Sequence, residues 1–472
     1  MNEKSNTWLS GAVLLILMPF WCSATLAQMQ NAAALEANAA LLQERQAYHV
    51  GSLAYIWGYP MVDMSRQMHN ETSRVRPDQQ ILAPVNQFHR FEHLLTPETV
   101  GNLRAPNNDT LYFSGWFDLQ DEPVVVQAPD TDGRYYTMAV TDFYSEVTHL
   151  GRRTTGTEQR DFVLVGPAFE GELPETLLPV RIKTEQAWIL GRLLVDDEAD
   201  LEVALPLMRD FRAAPLSVWQ RGEWLQQQST PKAQRLEPMG DLAFFEVLNR
   251  WLRQNPLPER DGAMLAWFDQ VGFGPRSEFD AAAAPEPVRR GLERAISDGL
   301  ELLRASTRQP MPDVRNGWIF PLHLGRYGDD YLLRASVVYG GYANLPEEST
   351  YVARVVDDNG ELLTGGQRYQ LRFSPEQIPP AAAFWSITAY DLETLNLMEN
   401  PIRRYSLGNR TEGIQFNADG SLDIYIQRDE PEVGTSNWLP VGDGNFSLVI
   451  RIYEPKASVL DGRYYPPVLE KQ

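Results

Sequence analysis

Two groupings of side chains have types and spacings that could do chemistry. The first is Phe88-His89-Arg90-Phe91-Glu92-His93, which contains His-x-x-Glu-His. On a helix, His89 and His93 stand at i and i+4 and share a face, where they could hold one Zn²⁺ with Glu92 as general base. A third ligand would have to come from elsewhere. The segment is short and lies between Pro84 and Pro97, so the plain alternative is a satisfied histidine and an exposed partner. The second grouping runs from Asn107 to Gly156 and gathers Asn107, Asp109, Tyr112, Asp118, Tyr136, Asp142, Tyr144, His149 and Arg152. An Asp beside a Tyr or His could activate water, and Arg152 could stabilise an oxyanion. Asp109, Asp142, His149 and Arg152 are therefore the candidate catalytic residues. Asn107, Tyr112, Tyr136 and Tyr144 are candidate ligand contacts, aromatic faces packing while polar groups orient. Asn-Asp-Thr and Asp-Gly-Ser sequences also make turns through side-chain-to-backbone bonds, so a structural role competes at every position.

These residues must be positioned by strands. From Asp109 to Leu119, Leu111, Phe113, Phe117 and Leu119 alternate with Tyr112, Ser114, Trp116 and Asp118. Val124–Ala128 is a short apolar strand, 129–133 (Pro-Asp-Thr-Asp-Gly) is a turn, and Arg134–Thr141 resumes the strand pattern. Strands are also expected at Phe162–Gly166, Val180–Lys183 and Trp188–Val195, then a helix from Asp196 to Phe211 despite Pro206, closing a domain that spans 28–215. Upstream, Gln28 to Ile56 reads as helix. Gly58 and Pro60 are expected to disturb it, before another helical turn or two over Met61–Met68. Tyr55 and Trp57 are either a packing cluster or the lining of a ligand pocket.

Residues 216–315 read as a helical connector, with helices over Asp241–Arg253, Gly262–Val271 and Pro285–Thr307. Gly299 falls on the apolar face of the last, marking a weak point or the close approach of another element. From Gly317 the pattern returns to strands, including Tyr369–Phe373, Phe384–Asp391 and Phe446–Tyr453 around an Asp357–Gly360 turn. Short strands with Gly, Asn and Pro turns predict a sandwich of jelly-roll type over 316–472. The expected fold is mainly β with α: two β-sandwich domains joined by the helical connector. Tyr390, Asp391, Asn437 and Trp438 are the second domain's candidate ligand contacts.

Several segments carry a family likeness. They are Pro106–Tyr112, Asp118-Leu119, Glu122-Pro123, Arg134-Tyr135-Tyr136, Asp142 with Tyr144, and Gly151-Arg152-Arg153 before Gly156. In the C-terminal half they are Phe384–Asp391, Arg404-Tyr405-Ser406, Asp419–Leu422 and Asn437–Pro440. Together they resemble a paired bacterial family, domain of unknown function 1254 followed by domain of unknown function 1214. The resemblance implies an architecture and leaves the reaction open.

Bulk properties narrow the function classes. With 63 acidic against 42 basic residues the net charge is −21, which argues against nucleic acid or anionic lipid as partner. Lys4, an apolar run from Leu9 to Phe20 and Thr25-Leu26-Ala27 form an export signal, with cleavage expected near Ala27 and a periplasmic or secreted product. The run is short for a membrane span. Cys22 is the single cysteine, so the mature chain would hold no disulfide or thiolate. Nucleophile-elbow, phosphate-loop and dinucleotide fingerprints are absent from the sequence. The expectations are a cofactor-independent hydrolase of a small ester or amide, a non-enzymatic periplasmic ligand-binding or envelope protein, or a zinc hydrolase on His89 and His93. A small molecule is the expected partner, and exposed aromatics make a homo-oligomer plausible.

Overall fold

A computed structural model of the chain describes residues 14–73, 83–99, 105–225, 242–307 and 313–472. Two compact units divide it. One takes Met1–Tyr55, Met239–Arg250 and Glu259–Leu300; the other takes Ile56–Pro238, Trp251–Pro258 and Glu301–Gln472, and carries all the described strands.

The described chain opens in α1, Leu14–Thr72. Of the expected export segment, residues 1–13 lie outside the described residues. No described helix is long and apolar enough to cross a membrane. The break expected at Gly58 and Pro60 is not found. Pro60 removes the hydrogen bond to the carbonyl of residue 56, yet packing holds the turn: Trp57, Met61 and Met64 are fully buried. The Trp57 carbonyl also accepts from Arg334 Nη2 at 2.7 Å.

The first sandwich is built from β1 (His89–Arg90), β2 (Thr110–Asp118), β3 (Val124–Ala128), β4 (Tyr136–Asp142) and β5 (Val147–Gly151). After a turn of helix, α2 (Arg152–Thr155), come β6 (Arg160–Val165), β7 (Leu178–Arg181) and β8 (Gln186–Leu194). Then follow α3 (Leu201–Arg209), β9 (Arg212–Pro215) and α4 (Leu216–Trp219). One sheet runs β1-β2-β8-β4-β5 and the other β7-β6-β3-β9. The alternation in β2 works as expected: Leu111, Phe113 and Phe117 enter one core with Val124, Val126, Met138, Phe162, Leu164 and Ile189. Each such side chain contributes about 1.5–3 kcal/mol by leaving water. Helix α3 carries Pro206 and adds Ala204 and Met208 to that core.

Gly191 is the tightest point of this core. It pairs across the sheet with Phe113, and a Cβ there would stand 2.1 Å from the Phe113 ring. Gly191→Ala should therefore lose about 1–3 kcal/mol by overpacking, read as a lowered denaturant midpoint. A midpoint unchanged from the parent would mean that the ring moves aside freely.

The connector carries α5 (Ala243–Gln254), α6 (Gly262–Val271) and α7 (Glu286–Ser306), close to the expected spans. In the first unit, Gly291 and Gly299 let α1 approach α7 closely. A Cβ on Gly299 would meet the Tyr55 ring at 2.4 Å, and Tyr48 donates to Asp298 at 2.8 Å. Gly299 thus marks the close approach of another element.

The second sandwich begins with β10 (Val314–Arg315) and β11 (Trp318–Ile319). It continues with a helix not anticipated from sequence, α8 (Tyr331–Gly340). Asp330 caps it, its side chain accepting from the Leu333 N–H at 2.9 Å. Strands β12 (Ser349–Arg354), β13 (Tyr369–Phe373), β14 (Ala381–Asp391), β15 (Ser406–Gly408), β16 (Leu422–Gln427), β17 (Trp438–Pro440) and β18 (Phe446–Pro455) follow. Then come α9 (Ala457–Leu460) and β19 (Leu469–Lys471). Sheets β10-β11-β12-β18-β14-β15 and β17-β16-β13-β19 face each other across Val352, Leu371, Ile387, Ile424, Leu448 and Ile450.

Candidate functional site

Two strand faces remain after the cores are assigned. In the first sandwich the outward positions of β2, β8, β4 and β5 hold Tyr112, Ser114, Trp116, Trp188, Leu190, Arg192, Thr137 and His149. In the second, the outward positions of β12, β14 and β18 hold Ser349, Tyr351, Ser386, Thr388, Tyr390, Arg451 and Tyr453. These two polar faces meet in a buried seam. Asp109 accepts from Ser386 Oγ at 2.6 Å and Ser406 Oγ at 2.9 Å. Asn107 Nδ2 donates to Tyr453 Oη at 2.8 Å. Tyr135 donates to Glu348 at 2.9 Å and stacks edge-on against Phe384 and Tyr453. Arg153 pairs with Glu348 at 2.8 Å, and Arg152 pairs with Glu454.

The expected catalytic four are each engaged separately, and none hydrogen-bonds another. Asp109 serves the two serines. Asp142 closes a turn by accepting from the Glu146 N–H at 2.9 Å, and burial pushes its carboxyl up to about 7. His149 is 4% exposed. Its Nε2 accepts from the Leu345 N–H at 3.2 Å, so the ring proton sits on Nδ1 and is donated to Thr137 Oγ1 at 3.1 Å. Burial, with Arg153, Arg192 and Arg326 nearby, pulls His149 down to about 3. A neutral imidazole whose lone pair is already taken is poorly suited to act as a base. Arg152 is held by Glu454.

The expected ligand contacts divide. Tyr112 and Tyr390 face the seam; Tyr390 donates to the Pro106 carbonyl at 2.5 Å. Asn107 is a turn, its Oδ1 accepting from Asp109 N, Thr110 N and Thr110 Oγ1. Asp391 likewise accepts from Glu393 N, Thr394 N and Thr394 Oγ1. Asn437 bonds the carbonyls of Gln415 and Asp423, and Trp438 Nε1 donates to the Gln427 carbonyl at 2.8 Å. Tyr136 lies in the first core against Phe211, Tyr55 packs on Phe244, and Trp57 and Tyr144 pack edge-on together. These are packing or turn roles, set by side-chain bonds that sequence spacing alone does not specify.

The helix needed by His-x-x-Glu-His is not there. His89 and Arg90 form β1, paired with Ser114 and Phe113, because pairing on a sheet edge satisfies the backbone between the two prolines. Glu92 is bidentate to Arg209 at 2.9 and 3.1 Å, and His93 is exposed. Among the described residues no three His, Cys, Asp or Glu side chains are grouped as a metal site requires.

The seam holds residues that the sequence reading passed over. Arg192 lies over the Tyr112 ring at 5.4 Å, and Arg451 lies over Tyr351 at 5.7 Å and Tyr390 at 5.1 Å. Their signal was present: each is a lone arginine in an apolar strand, Trp188-Ile189-Leu190-Gly191-Arg192 and Leu448-Val449-Ile450-Arg451-Ile452. Further along β8, Trp116 and Trp188 stack at 5.5 Å, with Tyr342 4.8 Å from Trp188. Trp116 Nε1 donates to Glu71 at 2.6 Å, and Gln67 donates to Asp63 at 2.7 Å and to Tyr342 at 3.0 Å. Burial raises both Asp63 and Glu71. Asp63, Gln67 and Glu71 sit four residues apart, one polar stripe on α1.

Water reaches this face. Leu190 and Arg192 on the central strand β8 remain half-buried although β2 and β4 flank them on both sides, and Tyr351 on β12, paired at its position with β18, is half-buried as well. A separate hollow of about 390 Å³ is lined by Glu98, Glu399, Asn400, Arg403 and Tyr405. None of the candidates above lines it, and its Glu98, Glu399 and Arg403 face solvent.

Comparison with known proteins gives relatives without chemistry. Residues 85–215 match the profile described as "Protein of unknown function (DUF1254)", and residues 348–457 match "Protein of unknown function (DUF1214)". The crystal structure of the VPA0106 protein from Vibrio parahaemolyticus aligns with TM-score 0.69 at 24% identity, over 90% of this chain and all of that one, and so shares the fold. An uncharacterised protein from Burkholderia cenocepacia aligns at TM-score 0.42 and 13% identity, over 95% of this chain and 98% of that one, which is too distant to carry argument. No curated protein matches the chain.

Proposed function

The chain belongs to the paired family of domains of unknown function 1254 and 1214, and from that premise we propose that it is a ligand-binding protein whose two domains hold a small polar organic molecule between their outer sheet faces. One observation carries the reading: the half-buried strip of Leu190, Arg192 and Tyr351 at the centre of two facing sheets. Strand interiors covered on both faces are ordinarily closed and apolar. Here the strip is accessible and flanked by guanidinium groups and aromatic rings, the mixture that small-molecule sites use. Binding without turnover is the better-supported form of the reading, because Asp109, His149 and Arg152 are committed to partners within the seam. The export signal read at the start of the sequence supports a periplasmic or secreted setting for this binding.

The test is occlusion. A panel of small aromatic and aliphatic acids, amines and amides is screened against the parent chain by ligand-observed NMR. Leu190→Trp, which fills the strip while leaving the seam bonds in place, is then screened with the same panel. Binders of the parent should lose at least tenfold in affinity. A panel with no binder, or a Leu190→Trp chain that binds as the parent does, would sink the reading.

A further inference from the structure

We propose that Arg192 and Arg451, with the hydroxyls of Tyr112, Tyr351 and Tyr453, form the recognition site for the carboxylate of a small organic acid. The assignment deepens the ligand-binding reading and rests on it. Its basis is two arginines without an ion-pair partner beside three tyrosine hydroxyls at one place in the seam.

The guanidiniums come first. Arg192 Nη1 donates to Asn344 Oδ1 at 3.1 Å, which leaves its Nε buried with no partner. Arg451 is 3% exposed; its Nη2 donates to the Ala105 carbonyl at 2.7 Å, and its Nη1 is buried with no partner. The Arg451 side chain also interacts with the Tyr390 hydroxyl. Other arginines of the same seam face carboxylates: Arg152 has Glu454, Arg153 has Glu348, and Arg410, whose Nε and Nη1 likewise make no hydrogen bond of ordinary geometry, has Asp196 at 2.8 Å. Among the described residues, neither Arg192 nor Arg451 has a carboxylate at ion-pair distance. The groups acting on both are Tyr112, Tyr351 and Tyr453. A buried guanidinium is costly without an anion, and buried donors in folded proteins nearly always have partners.

The tyrosines extend the argument. Tyr351 Oη accepts from Asn344 Nδ2 at 2.6 Å, and Tyr453 Oη accepts from Asn107 Nδ2 at 2.8 Å. Tyr112 Oη accepts from the Asn107 N–H at 3.1 Å. Each hydroxyl is thus fixed as an acceptor by an asparagine, and its own proton is directed to no described residue. Two guanidinium N–H groups and three O–H groups therefore share a region whose unpartnered acceptors are the hydroxyls Ser349 Oγ and Thr388 Oγ1 and, at its edge, Glu454 Oε1; the positive charge and the directed donors there are the complement of an oxyanion. Aromatic walls from Tyr112, Tyr351 and Tyr390, with half-buried Leu190 beside Arg192, suit an apolar body attached to it. That favours an organic carboxylate over free phosphate.

The experiment titrates the full chain with benzoate, with its neutral isostere benzamide and with inorganic phosphate, by calorimetry. Benzoate should bind, benzamide at least tenfold more weakly, and phosphate should not displace benzoate. Arg192→Met and Arg451→Met should each lose ten- to hundredfold in benzoate affinity, with folding checked by circular dichroism. Should both variants fail to fold, the comparison on the unaltered chain still decides. A 4-bromobenzoate soak of crystals adds a direct readout, with the carboxylate expected between the two arginines and not elsewhere. Equal binding of benzamide and benzoate overturns the carboxylate site while leaving a binding cleft. Tighter binding of phosphate replaces the organic acid with a free oxyanion and overturns it as well. Absence of binding by all three probes overturns the site and the cleft together.

Discussion

Relative to the parent chain, an Asp142→Asn variant will become steadily more stable as pH rises from 4 to 7, and a His149→Gln variant will become steadily less stable from pH 3 to 6.5. Asp142 has a folded-state value of about 7 against an ordinary 3.8, because burial disfavours its ionised form. The stability it supports is fully present below 3.8 and is lost as pH rises toward 7. His149 has the opposite linkage. Its folded value of about 3 lies below the ordinary 6.5, so its stability is fully present above 6.5 and is lost as pH falls toward 3. Each gap corresponds to on the order of 4 kcal/mol over its window. In the parent the two slopes oppose each other and largely cancel between pH 4 and 6.5. Urea midpoints for the three chains across this range measure the divergence. Parallel profiles would show that neither group is as enclosed as its contacts indicate.

The second large effect lies at Glu348, which is 1% exposed. One oxygen accepts from Tyr135 at 2.9 Å and the other from Arg153 at 2.8 Å. Glu348→Ala strips both, leaving a buried phenol without an acceptor and a guanidinium without its counter-ion. The expected loss is about 3 kcal/mol, at the lower end for a broken buried pair because Arg153 retains some contact with water. Glu348→Gln keeps an acceptor for Tyr135 and should lose about 1 kcal/mol. Equilibrium denaturation with m-values distinguishes the cases. A lowered midpoint with unchanged m would mean that both sandwiches still unfold together. Identical midpoints for Glu348→Ala and the parent would show that this contact does not hold the sandwiches to each other.

Much of the architecture was legible in the residues. Alternation in Leu111-Tyr112-Phe113 and turn chemistry at Asp132-Gly133 placed strands close to where they lie, since period and turn type are local properties. Three local expectations gave way to packing. Pro60 did not end α1, because Trp57 and Met61 bury the turn around it. Tyr331–Gly340 became helix within a region read as strands. His89 joined a sheet edge rather than a helix. The site was less legible, for a physical reason: Asn, Asp and Tyr were read from composition, while their roles depend on which partner arrives from a distant strand. Asn107 and Asp391 turned inward to their own backbone, whereas Arg192 and Arg451 were skipped as single charges. A lone arginine at an outward position of an otherwise apolar strand is the signal that would have found them.

The seam has a consequence for how such a chain can be taken apart. Its bonds run from residues 107–192 to residues 344–454, so each half carries one side of a lock whose other side the other half supplies. Expressed alone, either sandwich would present an ionic, tyrosine-rich face to water with its charges mispaired. Exchange of one half between distant relatives would then fail unless both sides of the lock were exchanged together, so the two domains constitute one heritable piece.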